Sequence, residues 1–147
     1  MTAYRHLIVG SDGSDSSHLA VAQAAELAQA FGARLTIVTA FTKTGAVAAM
    51  DVPEDMRWQV TDVAGAETRA REASRVAKER GAADVRTRVA SGDPADVLIE
   101  AAEELQADLL VLGSKGMTSP TRFLHSSVPN KVSHHAPCDV VIVRTVD

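Results

Sequence analysis

Two turns rich in glycine and serine hold most of the residues in this chain that could do chemistry. The first, Gly10-Ser11-Asp12-Gly13-Ser14-Asp15-Ser16, follows a short apolar run. The second, Gly113-Ser114-Lys115-Gly116, follows the run from Leu109 to Leu112 and leads to a helix-start signal, Ser126-Ser127, with Pro129 just inside. A strand, a glycine loop and a serine-started helix aim backbone N–H groups and a helix N-terminus at a phosphate. Asp12 reads either as a cap for the next helix or as a ligand contact. Lys115 reads as a phosphate cation by charge and place, or as a solvated loop lysine.

Other chemistries find less support. His134 and His135 are adjacent, so on a helix their rings point about 100° apart and do not easily share one ion. No Cys or second His stands at ligand spacing from them or from His125. Cys138 heads a strand pattern and reads as a small packing residue. The serine-rich turns lack the G-x-S-x-G elbow of hydrolases. There is no GKS or GKT P-loop, and no G-x-G-x-x-G after the first apolar run.

The elements that must hold the two turns follow from periodicity. Strand patterns run from Tyr4 to Gly10, Arg34 to Phe41, Val85 to Ala90, Leu109 to Leu112 and Val140 to Val143. Helical spacing joins Val21, Ala24, Ala25, Ala28 and Phe31, with Gly32 as the stop. Thr42 to Pro53 has no clear period and reads as a loop. A long helical pattern from about Glu54 to Arg80 carries Met56, Val60, Val63, Ala70, Ala73 and Ala77 on one side. Gly65 weakens its middle, and its Arg and Glu side from Glu67 reads as a solvated face. Asp93 and Pro94 predict an N-cap and first position. Val97, Leu98, Ala101, Ala102 and Leu105 then form a buried stripe. The alternating arginines of Val85 to Ala90 place that strand near an edge with one wet face.

The order β-α-β-α-β-α-β-α-β demands helical crossovers, hence a three-layer α/β/α sandwich on a parallel sheet. The whole chain, 1–147, is expected to be one domain. Nearly half of it is apolar but only 3% is aromatic, so Ala, Val and Leu must build the core. A net charge of −4 without a basic run argues against nucleic acid, and no apolar run approaches membrane-spanning length. One cysteine excludes an internal disulfide, and the expected location is the cytoplasm.

With these residues in place the chain resembles the universal stress protein family, the UspA-like nucleotide-binding α/β domains, over essentially its whole length. The resemblance is carried by VGSDGSDSS, by Gly92-Asp93-Pro94, and most of all by ADLLVLGSKG…LHSSVPNKVSHHAPCDVVIVR. ATP-binding members carry G-x2-G-x9-G-[S/T]. Gly113 and Gly116 match it, whereas Ser126 stands at the third glycine and Ser127 at the Ser/Thr. A serine keeps the amide but adds a Cβ to the phosphate cradle. His125 replaces a common aliphatic residue, and Pro129 replaces a common Ser or Thr. The Ser-Val-Pro-Asn variant looks like an actinobacterial-type branch in which some members bind cyclic AMP.

The resemblance implies a Rossmann-like fold of the adenine nucleotide alpha hydrolase-like kind, with a five-stranded parallel sheet in order 3-2-1-4-5. It implies Asp12 beside ribose or phosphates, with Gly10 and Ser11 backbone nearby. Ala40 would offer backbone to the adenine edge, Gly113 and Gly116 would admit ribose and phosphate, and Ser126, Ser127 and Val128 would supply amides and hydroxyls. The expected ligand is ATP, with cyclic AMP or AMP as rivals and Mg2+ or Mn2+ only when carried by nucleotide. The exposed last strand, Val140 to Val143, is expected to form a homodimer. No group is set up to activate water or transfer a phosphoryl group, so the reading is a binding protein in stress response or signalling. An apo dimeric interaction module and a slow ATPase are the alternatives.

Overall fold

Short apolar runs form the strands, and the alanine-rich segments between them form the helices that cover them. The structure, a computed structural model, describes residues 4–41, 63–114 and 127–145. Its elements are β1 (His6–Gly10), α1 (Asp15–Phe31), β2 (Arg34–Phe41), α2 (Val63–Glu79), β3 (Asp84–Ser91), α3 (Pro94–Glu104), β4 (Leu109–Gly113), α4 (Ser127–His135) and β5 (Asp139–Val143). The five strands form one parallel sheet in the order β3-β2-β1-β4-β5, as the resemblance implies.

Alternate strand residues feed two separate cores. Leu7, Val9, Leu35, Ile37, Leu109 and Val111 face alanines of α1 and α2. Ile8, Val38, Leu110 and Leu112 face Val97, Leu98, Ala101 and Ala102 of α3 and Val128 and Val132 of α4. Strands covered on both faces explain why their sequence reads as apolar runs without alternation. The two edge strands differ. On β3, Arg86 and Thr87 are exposed, Arg34 and Arg86 both pair with Asp84, and Arg88 pairs with Glu104. On β5, Ile142 remains 45% exposed.

Local signals set the helix ends. Ser14 caps α1, accepting from the Ser17 amide, and Gly32 closes it in the left-handed conformation at φ 65°. Asp93 caps α3 by accepting from the Asp96 amide, with Pro94 in the first turn. Lys131 of α4 reaches Asp93 and Asp96, joining the two helices on that face.

Three expectations need correction. Phe31 extends the apolar period of α1 but is 42% exposed. It is the last residue of the helix and meets Tyr4 edge-on, with ring centroids 5.2 Å apart. Val63, the first residue of α2, is 49% exposed instead of lining the buried side. β1 begins at His6 because the amides of Arg5 and His6 both donate to Asp108 Oδ2, at 2.7 and 2.9 Å. The expected loop from Thr42 to Pro53, and Met56 and Val60 of the long helix, lie outside the described residues.

Candidate functional site at the carboxyl ends of β1 and β4

The strand order reverses between β1 and β4, where an open parallel sheet leaves a crevice at its carboxyl end. The register Val9↔Val111 sets Gly10, the last residue of β1, level with Leu112, one residue before the end of β4 at Gly113. The turn after β1 therefore leaves the sheet next to Gly113 and Ser114.

The first turn is held by its own side chains. The Ser11 amide donates to the Val38 carbonyl at 3.0 Å, which ties the turn to β2. Asp12 Oδ1 accepts from the Ser14 amide at 2.9 Å, and Ser14 in turn caps α1. Asp12 thus shapes the turn, while the cap of α1 is Ser14. Gly13, between them, has φ +85°, a conformation that favours glycine. Ser11 is buried, with Oγ 3.5 Å from Ser17 Oγ.

Gly10 and Gly113 are both pressed by side chains, on opposite faces of the sheet. A Cβ at Gly10 would stand 3.2 Å from Leu98 and 3.3 Å from Leu112. A Cβ at Gly113 would stand 3.3 Å from Thr145 Cγ2, 3.4 Å from Ala20 Cβ and 3.5 Å from the Ser16 carbonyl. The chain after β5 folds across this point. Ser16 donates its hydroxyl to Thr145 Oγ1 at 2.7 Å, Ser114 Oγ accepts from the Thr145 amide at 3.0 Å, and the Ser114 amide donates to Val143. Sequence reasoning missed this latch, which joins residues 129 positions apart.

Of the other expected site residues, Ala40 lies near the end of β2, half-buried and in register with Ala90. Ser127 opens α4, and the Val128 side chain is 3% exposed in the core, so a contact from Val128 to a ligand would come from its backbone. Lys115, Gly116 and Ser126 lie outside the described residues.

Arg69 of α2 is a second residue that sequence reasoning missed. It belongs to the face expected to be solvated, yet it is half-buried. Its stem lies over the first turn, with Cδ 2.9 Å, Cγ 3.1 Å and Nε 3.4 Å from where a Gly13 Cβ would be. Burial pulls its pKa down and the charge of Asp12 partly restores it; an arginine stays cationic throughout. Its spacing held the clue. Three residues after Ala66 and four before Ala73, it flanks the buried alanine stripe.

No three His, Cys, Asp or Glu side chains gather into a metal-holding group among the described residues. Cys138 packs against the α3–α4 core, and burial raises its thiol pKa, which keeps it protonated. No described helix is long and apolar enough to cross a membrane.

The arrangement can hold a polar ligand at the switch point between a backbone turn, a helix start and an arginine. A family model described as the Universal stress protein family matches residues 3–144. Universal stress protein Rv1636 of Mycobacterium tuberculosis is 40% identical over 146 residues, covering 99% of each chain. A universal stress protein solved in complex with cAMP is 37% identical, with a TM-score of 0.76 over 99% of this chain and 100% of that one. UspA from Lactobacillus plantarum is 26% identical, with a TM-score of 0.76 over 98% and 100%. With the sheet order, the paired turns and a match that spans nearly every residue, this chain belongs to the universal stress protein family.

Proposed function

We propose that the chain binds an adenine nucleotide in the crevice between β1 and β4 and acts in stress response or signalling through that binding. The observation that carries this reading is the juxtaposition of the Gly10–Ser14 turn with the end of β4 at the switch point. The relative solved with cAMP supports it, since the likeness covers the whole chain. Asp12, the backbone of Gly10 and Ser11, and Ala40 would meet ribose and adenine. Gly113, Lys115, Gly116, Ser126, Ser127 and Val128 would surround the phosphates.

Cyclic AMP is the ligand that this reading ranks first against ATP. Ser126 replaces the third glycine of the triphosphate cradle, and a single cyclic phosphate asks less of that segment. A divalent cation would enter only with a nucleotide's phosphates. The exposed Ile142 on the edge strand β5 supports a homodimer through that strand, and the reading places the chain as a single domain in the cytoplasm.

Calorimetric titration of nucleotide-free protein with cyclic AMP, AMP and ATP·Mg tests the reading, with sedimentation of the same sample for mass. Micromolar cyclic AMP binding and weaker ATP is the expected result. No heat from any of the three, with a dimer in sedimentation, would instead leave a nucleotide-free interaction module.

A further inference from the structure

Arg69 differs from the other arginines of the structure. Arg34, Arg75, Arg80, Arg86 and Arg88 each pair with a carboxylate, Arg71 donates to Thr68, and Arg5 and Arg144 are exposed to water. Arg69 has no hydrogen-bond or ion-pair partner among the described residues, although it is half-buried. A helical arginine without a partner would be better hydrated if it extended into water. This one lies over the β1–α1 turn instead, in the space that Gly13 leaves by having no Cβ.

The elements that α2 packs against, α1 and β2, leave more polar capacity unused. Asp12 attracts Arg69 without pairing with it, and Asp12 Oδ1 is occupied by the Ser14 amide. His18 Nε2, in the first turn of α1, is buried without a hydrogen-bond partner. So is Thr39 Oγ1, two residues before the end of β2 on a side chain with 0% exposure. Strand alternation puts Thr39 on the same face as Leu35 and Ile37, the face covered by α1 and α2. Buried polar groups are nearly always satisfied, so a half-buried unpaired cation, with two unsatisfied polar atoms on the elements its helix packs against, calls for a polar occupant. An anion rich in oxygen atoms meets that need, and a guanidinium fork matches phosphate.

The geometry points to Arg69 as the residue that recognises the phosphate of the bound adenine nucleotide, reaching it across the Gly13 turn. This assignment rests on the nucleotide reading above and adds the residue that distinguishes a nucleotide from a nucleoside.

The test compares adenosine, AMP and cyclic AMP as ligands of the wild type, Arg69→Gln and Arg69→Lys, with melting curves of each protein. Loss of a charged hydrogen bond to phosphate predicts about 10–100-fold weaker AMP and cyclic AMP binding to Arg69→Gln. Adenosine binding should change by less than about threefold, and Arg69→Lys should recover part of the loss because it keeps the charge and not the fork. If Arg69→Gln does not fold, the ratio of AMP to adenosine affinity in Arg69→Lys decides. Equal losses for adenosine and AMP, or no loss for either, would overturn the role of Arg69 while leaving nucleotide binding intact. A wild type that binds none of the three would overturn the nucleotide reading and this assignment together.

Discussion

Replacing Gly113 by valine is the obvious way to disable a phosphate loop, and the structure predicts that it would also damage the fold. The φ of Gly113 lies outside the left-handed range, so its backbone accepts an ordinary side chain. What limits the site is space. An added Cβ meets Thr145, Ala20 and the Ser16 carbonyl at 3.3–3.5 Å. Alanine fits with a shift of tenths of an ångström, and losing glycine's freedom in the unfolded chain offsets the strain, so its net effect should stay within about 1 kcal/mol. Valine adds two carbons where Thr145 and α1 already touch. Overpacking costs about 1–3 kcal/mol. Displacing Thr145 also breaks the Ser16–Thr145 hydrogen bond, worth roughly 1 kcal/mol. The total, about 2–4 kcal/mol, lowers Tm by roughly 5–15 °C for a domain of this size. Thermal denaturation of Gly113→Ala, Gly113→Val, Thr145→Ala and the Val/Ala double variant measures it. The double variant should be less unstable than the two single costs added, because removing Thr145 Cγ2 frees the room that valine needs. A Gly113→Val protein that melts with the wild type, or strictly additive costs, would refute the packing argument. Loss of binding in the alanine variant, and not in the valine one alone, then reports on ligand contact.

Two further outcomes follow from the same geometry. His6 is held below the ordinary histidine pKa, chiefly by burial and then by Arg34, and its Nε2 lies 2.7 Å from Thr36 Oγ1. A depressed folded pKa means stability that is present above the unfolded value and lost as pH falls through the folded one. Between about pH 7 and 5 the wild type should lose more Tm than His6→Gln, and parallel curves would contradict this. Ser14→Ala removes the cap of α1 and should cost about 1 kcal/mol in denaturant unfolding. Nucleotide affinity should change by less than about threefold, because the Ser14 backbone amide that anchors Asp12 survives the substitution; a large loss would show that the α1 cap itself holds the site.

Features written locally were legible in the sequence. β2 has the bounds that its apolar run predicts, and Asp93-Pro94 starts α3 where a cap followed by a proline should. Glycine stops and double-sided burial are properties of a few neighbouring residues, so they survive without a structure. The resemblance supplied the sheet order, which no local pattern encodes. Phe31 misled because helical period says which face a residue shares and not how much cover it finds at the helix end. Arg69 and the Ser16–Thr145–Ser114 latch were illegible for a different reason. Each depends on which segments meet, and Arg69 is one of several arginines in a charged helix until Gly13 is placed under it.

The alanines that line α1 and α2 also bear on how this layer takes up a disturbance. Ala20, Ala24, Ala25 and Ala28 on one helix, and Ala66, Ala70, Ala73 and Ala77 on the other, are all essentially inaccessible. Alanine has no rotamers to lose on folding, so this layer forms without side-chain entropy cost. For the same reason it has none to offer when disturbed. A layer of larger residues absorbs a push by changing rotamers one at a time. Here a push on the Gly13 turn or on Arg69 finds no side-chain rotamers to take it up, so it falls on the packing of the helix backbones themselves.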